Sequence, residues 1–397
     1  MKEMQSIIDA YREIQRTDTP SALATVVNVT GSAYRRPGAR MLITGDGRTV
    51  GSVSGGCLER DVMNQARRVL QWNESRVVTY NSMSDDDVAW EFNLGCNGII
   101  DVLIEPLSPT VEPGYLAFIA DCLRHRQAVI VAVVFSVEGD MKARVGSRLL
   151  LAEQQPVHHD IGDVHLTAAI ADDARRVLAG GTSRVKRYAL AAGRAEAFIE
   201  VIQPPVPLVI FGAGHDAMPL VRLAKELGWH VTLIDPRPGF ATRTRFPLAD
   251  HVIVCRPDEV FERVKIDGRT VAVVMTHNFL HDSELLNMLV PSPVRYIGIL
   301  GAKQRTRKLL DLVQETIRSQ SDPALGRVYG PIGLDIGAET PEEIALAAMA
   351  EIKAVLAGRV GGMLRGRQAP LHEPCEGVDV GAGSGKITGE VYCGHEH

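Results

Sequence analysis

The chain has 397 residues, a formal net charge of −5, 45% apolar residues and 23% charged residues. This length and composition predict two or three globular domains that fold without disulfides or structural metals. The negative net charge argues against a protein whose main role is to bind nucleic acid or anionic membranes. No stretch reaches the ~18 apolar residues of a membrane span and the N-terminus lacks a signal-peptide core, so we expect a cytoplasmic protein.

The first half of the chain, residues 1–203, is predicted to be an α/β domain. It opens with a helix whose Ile7, Tyr11 and Ile14 share one face, and a second helix is predicted over 57–71. Apolar and β-branched runs predict strands near 21–29, 40–44, 49–53, 75–80, 99–104, 128–136 and 142–152. No internal repeat is expected in the chain.

The second half has a more regular pattern that begins after the proline-rich boundary Gln203-Pro204-Pro205. Strand-like runs lie at 207–211, 230–234, 251–254, 270–276 and 295–300, and helix-like segments lie at 215–227, 258–265, 282–290 and 303–317. Short apolar strands that alternate with helices predict a Rossmann-like, doubly wound parallel sheet over residues 204–358. Residues 359–397 are rich in glycine and lack periodicity, which predicts a mobile tail.

A dinucleotide-type fingerprint follows the first strand of this second domain. Gly212-Ala213-Gly214-His215 leads from a predicted strand into a predicted helix. In that context the first glycine permits a tight turn and the second lets a phosphate approach the backbone. Asp235 closes the next strand, where an acidic residue bonds a ribose hydroxyl, and Arg237 follows it. We predict that these residues bind an anion or a nucleotide, with a purely structural turn as the alternative.

Two more strand ends carry polar segments that would lie at the same edge of the sheet. Gly301 and Lys303 begin a basic helix, which suits a phosphate, although a solvated basic helix face explains the pattern equally well. His277 has a second histidine four residues further on, but a zinc site would need a third ligand. A polar edge of a binding site is therefore favoured over zinc and over a solvated surface loop.

The segment 330–343 combines a glycine-rich loop with a helix start. Thr340 and Glu343 predict a capping box at the helix N-terminus. The cap does not account for Gly333 and Asp335 just before it, and a loop rich in glycine often lets the backbone approach a ligand closely. Gly333 and Asp335 are therefore candidate ligand-binding residues.

Cys57 is the sequence's best candidate for a reactive sulfur. It follows a glycine turn at the predicted start of the helix 57–71, and exposed amides at a helix start favour the thiolate form of cysteine. Arg36 and Arg40 could add positive charge nearby. Cys96 also lies between glycines and is the second candidate. A small buried residue is the structural alternative for Cys57.

These motifs together resemble one protein family. The segments GSAYRRPGARM, GSVSGGCLE and LGCNG resemble the N-terminal domain of the XdhC/CoxI family, and VIFGAGHDAMPLVRLAKELGWHVTLIDPRPGF resembles the start of its Rossmann domain. IGILGAKQRTRKLL and GPIGLDIGAETPEEIALA resemble the family's later blocks, in the same order. The resemblance covers residues 1–357.

The resemblance implies an accessory protein of molybdenum hydroxylases such as xanthine dehydrogenase. Such a protein binds molybdenum cofactor, as molybdopterin or its cytosine dinucleotide form, protects it, assists its sulfuration and inserts it into the apoenzyme. A cysteine desulfurase would supply the sulfur, and the family's conserved cysteines fall on Cys57 and Cys96. Cys57 would then ligate molybdenum, carry sulfur or only shape the loop.

This interpretation makes the chain a cofactor insertion factor rather than a stand-alone enzyme. The alternative is an NAD(P)-dependent oxidoreductase that uses the Rossmann domain, but the sequence offers no recognisable acid–base group for it. A homodimer is expected as the commonest form of soluble oligomer.

Overall fold

The computed structural model of the chain describes residues 2–17, 19–31, 33–81, 98–107, 114–153, 157–317, 323–368, 374–375 and 391–392. Contacts divide the protein into two compact units. The first contains residues 3–204 together with residue 368 and two short C-terminal strands, and the second contains residues 205–367. No helix within the described ranges is long and apolar enough to span a membrane.

An antiparallel sheet with two helices makes up the first half of the N-terminal unit. The chain forms α1 (Lys2–Thr17), β1 (Ser21–Gly31), β2 (Arg40–Thr44), β3 (Thr49–Gly51), α2 (Glu59–Trp72), β4 (Arg76–Asn81) and β5 (Gly98–Leu107). The strands lie in the order β3-β2-β1-β5-β4. Apolar residues at helical spacing on α2, namely Val62, Ala66 and Val69, pack on this sheet.

A second antiparallel sheet makes up the rest of this unit. The chain forms α3 (Gly114–Arg124), β6 (Val129–Gly139), β7 (Arg148–Ala152), β8 (His158–His159), α4 (Val164–Gly180), β9 (Arg184–Leu190) and β10 (Gly193–Ile202). The strand order is β8-β7-β6-β10-β9. The predicted helical face of α1 is confirmed, because Ile7, Tyr11 and Ile14 are buried against residues of both halves.

The second unit is a parallel sheet that alternates with helices. It consists of β11 (Pro207–Phe211), α5 (Ala217–Glu226), β12 (His230–Ile234), β13 (His251–Ile253), α6 (Val260–Arg263), β14 (Val271–Val274), α7 (Phe279–Leu289), β15 (Tyr296–Ile299), α8 (Lys303–Ile317), β16 (Val328–Tyr329) and α9 (Pro341–Leu356). All five strand pairings are parallel, in the order β13-β12-β11-β14-β15-β16. The predicted Rossmann-like class is confirmed.

Most element boundaries lie within a few residues of the predicted ones, with three clear differences, one of which is that the strand predicted over 142–152 begins only at Arg148. The helix predicted over 57–71 begins only at Glu59, because two glycines hold the preceding residues in an open turn. The helix predicted over 258–265 is a short 3₁₀ turn followed by the four-residue α6. Near the C-terminus, β17 (Pro374–Cys375) pairs with β18 (Val391–Tyr392), which also pairs with the end of β1.

Candidate functional site

The candidate anion site lies where the strand order of the parallel sheet reverses. β12 and β13 lie on one side of β11, and β14, β15 and β16 lie on the other. In open α/β sheets, ligands bind beyond the carboxyl ends of the strands at such a reversal. Here the segments 212–216 and 275–278 follow β11 and β14, so both reach this point.

Gly212 and Gly214 shape the turn after β11 in two different ways. Gly212 has φ of +117°, and a Cβ there would lie 2.4 Å from the carbonyl oxygen of Met275, so only glycine fits this position. At Gly214 a Cβ would lie 2.4 Å from Oδ1 of Asp216, which is a movable side chain. Gly212 therefore allows two backbones to touch, whereas a Cβ at Gly214 would overlap only a side chain that can move.

Asp235 is buried at the end of β12, and nearby donors bond both of its carboxylate oxygens. Its Oδ2 accepts hydrogen bonds from the Ala213 amide at 2.8 Å and from Nη2 of Arg237 at 2.7 Å. Its Oδ1 accepts from the amide and Nε of Arg237 at 2.9 and 2.8 Å. Burial alone would raise the pKa of Asp235, but these hydrogen bonds lower it below the ordinary value. The carboxylate thus stays charged and holds Arg237 in place.

Of the Asp235–Arg237 ion pair, Arg237 is the member exposed to solvent. Its side chain is 49% exposed, while that of Asp235 is 1% exposed. The guanidinium also lies 3.9 Å from the ring centroid of Phe240. A planar, oriented guanidinium of this kind suits recognition of a phosphate or carboxylate.

His277 and Asp216 form an exposed hydrogen-bonded pair across the two loops. Its Nε2 lies 2.7 Å from Oδ2 of Asp216, and its side chain is 62% exposed. The residue has φ of +60°, which a non-glycine residue rarely adopts. Asp216 was not among the predicted site residues, although its position two residues after Gly214 is a signal that could have identified it.

A buried ion pair connects α7 to the start of α8, and a hydrogen bond links it to the loop after β14. Arg305 Nη1 lies 2.6 Å from Oδ2 of the fully buried Asp282, whose Oδ1 accepts a hydrogen bond from the Thr276 hydroxyl at 2.5 Å. Gly301 has φ of +140°, and Lys303 is exposed as the first residue of α8. The basic helix start is therefore fixed beside the β14 loop, and Arg305 is a positioning residue that the sequence motifs did not single out.

The remaining predicted residues of this unit are more scattered. His215 is exposed in the turn after β11. Gly333 has φ of +115° and packs closely on Ala347 of α9, while Asp335 is exposed in the loop that follows β16. The capping box at Thr340 is present in the structure, as predicted.

Cys57 lies in an open turn that the Glu59 carboxylate organises. Glu59 accepts hydrogen bonds from the Ser54 amide and the Ser52 hydroxyl, both at 2.9 Å, and from the Ser54 hydroxyl. Gly56 has φ of +116°, and a Cβ there would meet nothing within 4 Å. Cys57 is a free, partly exposed thiol in this turn. Cys96, the second candidate, lies outside the described residues.

The two predicted arginines near Cys57 have different surroundings. Arg40 is buried and its guanidinium forms a two-pronged ion pair with Glu200, with 2.9 Å between Nη1 and Oε1. Burial alone would lower the pKa of Arg40, but the Glu200 carboxylate raises it above the ordinary value. Arg36 is partly buried. Among the residues the structure describes, no group of three or more His, Cys, Asp or Glu side chains could hold a metal ion.

Known proteins resemble this chain over most of its length. The XdhC Rossmann domain profile matches residues 208–352, and the XdhC and CoxI family profile matches residues 14–81 and 122–189. The chain is 34% identical over 352 residues to a probable xanthine dehydrogenase subunit of Bacillus subtilis (strain 168), covering 89% of this chain and 97% of that protein. It is 21% identical over 336 residues to the molybdenum cofactor insertion chaperone PaoD of Escherichia coli (strain K12), covering 84% and 83%.

A solved structure is similar to most of this chain. It is a crystal structure described as a xanthine dehydrogenase from Bacillus halodurans, with a TM-score of 0.72 and 31% sequence identity. The similarity covers 91% of this chain and 98% of that chain.

Proposed function

We propose that this chain, which belongs to the XdhC and CoxI family, binds molybdenum cofactor in the cytoplasm and inserts it into a xanthine dehydrogenase-type molybdenum hydroxylase. The family predicted from the motifs is confirmed by the two profiles and by the Bacillus subtilis relative. The insertion role is supported by the relative that is named a molybdenum cofactor insertion chaperone.

The Asp235–Arg237 pair is the observation that supports this proposal most directly. A nicotinamide dinucleotide site needs an acidic side chain that is free to accept from ribose hydroxyls. Here both oxygens of Asp235 already accept from Arg237 or Ala213, so the outward group is a cation. Molybdopterin carries a phosphate, and its dinucleotide form carries a pyrophosphate, which suits Arg237 and the helix starts at this edge.

The rest of the predicted site would complete this anion-binding role. Gly212 permits the tight turn after β11, Gly214 is partly exposed in that turn, and Lys303 adds a second cation at the start of α8. Cys57 is proposed to act on the molybdenum end of the cofactor, because thiolate is a suitable ligand for soft metals and a carrier of sulfur. Sulfur would come from a cysteine desulfurase, and the bound protein would protect the cofactor until transfer.

Cofactor retention tests the proposal. The protein would be purified without oxygen from a host that makes the cofactor, and molybdenum and the fluorescent oxidised pterin would be measured. We expect pterin on the wild type, a loss of about tenfold in Arg237→Met because one charge-assisted phosphate contact is removed, and no loss in Arg222→Met. Arg222 is a matched control because its side chain is also exposed and forms an ion pair with Glu342, at 3.4 Å.

The Cys57→Ala variant separates the two parts of the proposal. We expect it to deliver less active client enzyme, since the thiolate is absent. Equal pterin retention and full client activation in this variant would contradict the thiolate role. Absence of pterin from the wild type, or equal retention in Arg237→Met and Arg222→Met, would contradict the anion site.

An NAD(P)-dependent oxidoreductase is the second candidate. The exposed His277–Asp216 pair favours it, because a histidine oriented by a carboxylate can exchange a proton with a substrate beside the glycine turn. The test is a fluorescence titration of pterin-free protein with NADH or NADPH. Tight binding of either nucleotide would favour this candidate.

A further inference from the structure

The two sheets of the N-terminal unit repeat one arrangement of elements. Each half runs helix, three strands, helix and two strands, and the strand orders β3-β2-β1-β5-β4 and β8-β7-β6-β10-β9 are equivalent. The first two strands of each half begin and end 108 residues apart, as do the two segments that match the same family profile. The expectation that the chain has no internal repeat is therefore wrong.

Local backbone geometry repeats at the same spacing. Gly38 and Gly146 both have a left-handed φ, of +97° and +90°. Their amides donate to the carbonyl oxygens of Val26 and Val134, in both cases at 2.8 Å. The bulge that shifts the register of β1 also recurs at the equivalent position of β6. Such coincidences in detail indicate two copies of one domain.

Two buried ion pairs link the copies reciprocally. Arg40 of the first copy pairs with Glu200 of the second, and Arg148 of the second pairs with Glu105 of the first. Arg40 and Arg148 are 108 residues apart, and the two glutamates occupy the same register position of β5 and β10. In addition, Nη1 of each arginine donates to the carbonyl oxygen of its own glycine turn at 2.9 Å.

The apolar contacts between the copies follow the same symmetry. One buried cluster contains residues of both copies. Equivalent positions contribute to it in pairs, namely Val27 with Phe135, Leu103 with Phe198, and Val77 with Val185. An interface in which residue i meets j and j meets i is the isologous type found between subunits of two-fold dimers.

We propose that the N-terminal unit is a fused pseudo-dimer, in which residues 2–107 and 114–202 are two copies of one domain that bind each other through an isologous interface. The partner that this surface fits is a second copy of the same domain, and the chain itself supplies it. Arg40, Arg148, Glu105 and Glu200 are the positioning residues of that interface.

The copies differ at the loop that carries Cys57. The equivalent positions of the second copy hold Asp163, Val164 and His165, where the Asp163 side chain accepts from the Leu166 amide at 2.9 Å and caps a regular helix. The first copy has Gly55, Gly56 and Cys57 there, in the open turn. Of the two copies, the first therefore carries the glycine–cysteine turn, and the second is its structural partner.

Charge reversal in the full-length chain tests the interface. Thermal unfolding would be compared for Arg40→Glu, Glu200→Arg, Glu105→Arg, the double variant Arg40→Glu/Glu200→Arg and the double variant Arg40→Glu/Glu105→Arg. Each single reversal should lower Tm by about 6 °C or more, since it leaves like charges buried together. The first double variant reverses both members of a pair between copies and should recover at least about half of that loss.

The second double variant reverses one charge in each of two different pairs. Both pairs then hold like charges, and only the weaker attraction between positions 40 and 105 is kept, so this variant should recover less Tm than the first double variant. Equal or greater recovery in the second double variant would overturn the proposal. Should the reversals prevent folding, Glu105→Gln and Glu200→Gln decide the question. Because Glu105 and Glu200 occupy equivalent positions, the two variants should lower Tm by amounts that agree within about 2 °C. A loss of Tm in only one of the two variants would overturn the reciprocal arrangement.

Discussion

Substitution of the two glycines of the β11 turn should separate the stability of the fold from the binding of the anion. Gly212→Ala places a Cβ 2.4 Å from the Met275 carbonyl oxygen and 2.7 Å from its carbon, and it does so at φ of +117°. These are backbone atoms on a neighbouring strand end, so they cannot rotate away. Gly214→Ala meets chiefly the Asp216 carboxylate, which can rotate.

The two substitutions should therefore lower the stability of the fold by different amounts. For Gly212→Ala, the left-handed backbone costs about 1–2 kcal/mol and the overlap about 1–3 kcal/mol, so a total near 3 kcal/mol should lower Tm by about 6–12 °C. For Gly214→Ala, the alanine also reduces the entropy of the unfolded chain by an equivalent of about 0.4–1 kcal/mol. That stabilisation offsets most of the cost of moving the Asp216 carboxylate, so Tm should change little.

Binding of the anion should be weakened by Gly214→Ala even though this substitution changes Tm little. The added methyl group occupies the space where a phosphate would approach the backbone, and a lost charge-assisted hydrogen bond weakens binding by about tenfold or more. Thermal unfolding by circular dichroism and pterin retention would be measured on the same preparations. An unchanged Tm for Gly212→Ala, or equal Tm losses for both variants, would refute the reasoning about the Met275 contact.

Three further outcomes follow from individual contacts. Iodoacetamide at about pH 8 should alkylate Cys57 but spare Cys122, because burial raises the pKa of Cys122 to about 11; similar labelling of both in peptide mapping would be inconsistent with this. Burial alone would raise the pKa of Asp235, but Arg237 lowers it, so the stabilisation is complete above the ordinary carboxyl value of 3.8 and is lost as the pH falls. The urea midpoints of the wild type and Asp235→Asn should therefore converge in acid, and a gap independent of pH would count against the pair. Thr340→Ala should cost about 1 kcal/mol by loss of the helix cap, with Thr340→Ser as the control; equal urea midpoints would show that the cap contributes nothing.

The sequence predicts the second unit well because its signals are local. Each strand of that unit is a short apolar run beside a helix, so periodicity alone indicates the parallel sheet. The candidate site is only partly predictable. Gly212 and Asp235 stand at positions defined by a fingerprint, whereas Asp216 and Arg305 gain their roles from partners 61 and 23 residues away. A pattern read along the chain can mark Asp216 by its position after Gly214, but it does not show which residue is the partner of Asp216 or of Arg305.

The first unit was harder to predict because its strand pairs are not local. β1 pairs with β5 across about 70 residues of chain, and no single window contains both strands. The repeat itself is visible in the sequence once the two halves are aligned. Between residues 26–44 and 134–152, seven of nineteen positions are identical. These are Val26, Val29, Gly31, Arg36, Gly38, Arg40 and Leu42.

The duplication provides an internal control for assigning function. A residue that both copies keep serves what both copies share, which is the domain fold and the interface. Arg40 has an equivalent in Arg148 and its guanidinium forms a two-pronged ion pair with Glu200, so we expect its charge to serve the interface rather than a ligand. Cys57 has His165 as its equivalent, and the turn around it differs from the capped helix of the second copy. Function in this unit should therefore depend on the residues that differ between the copies, and Cys57 is one of them.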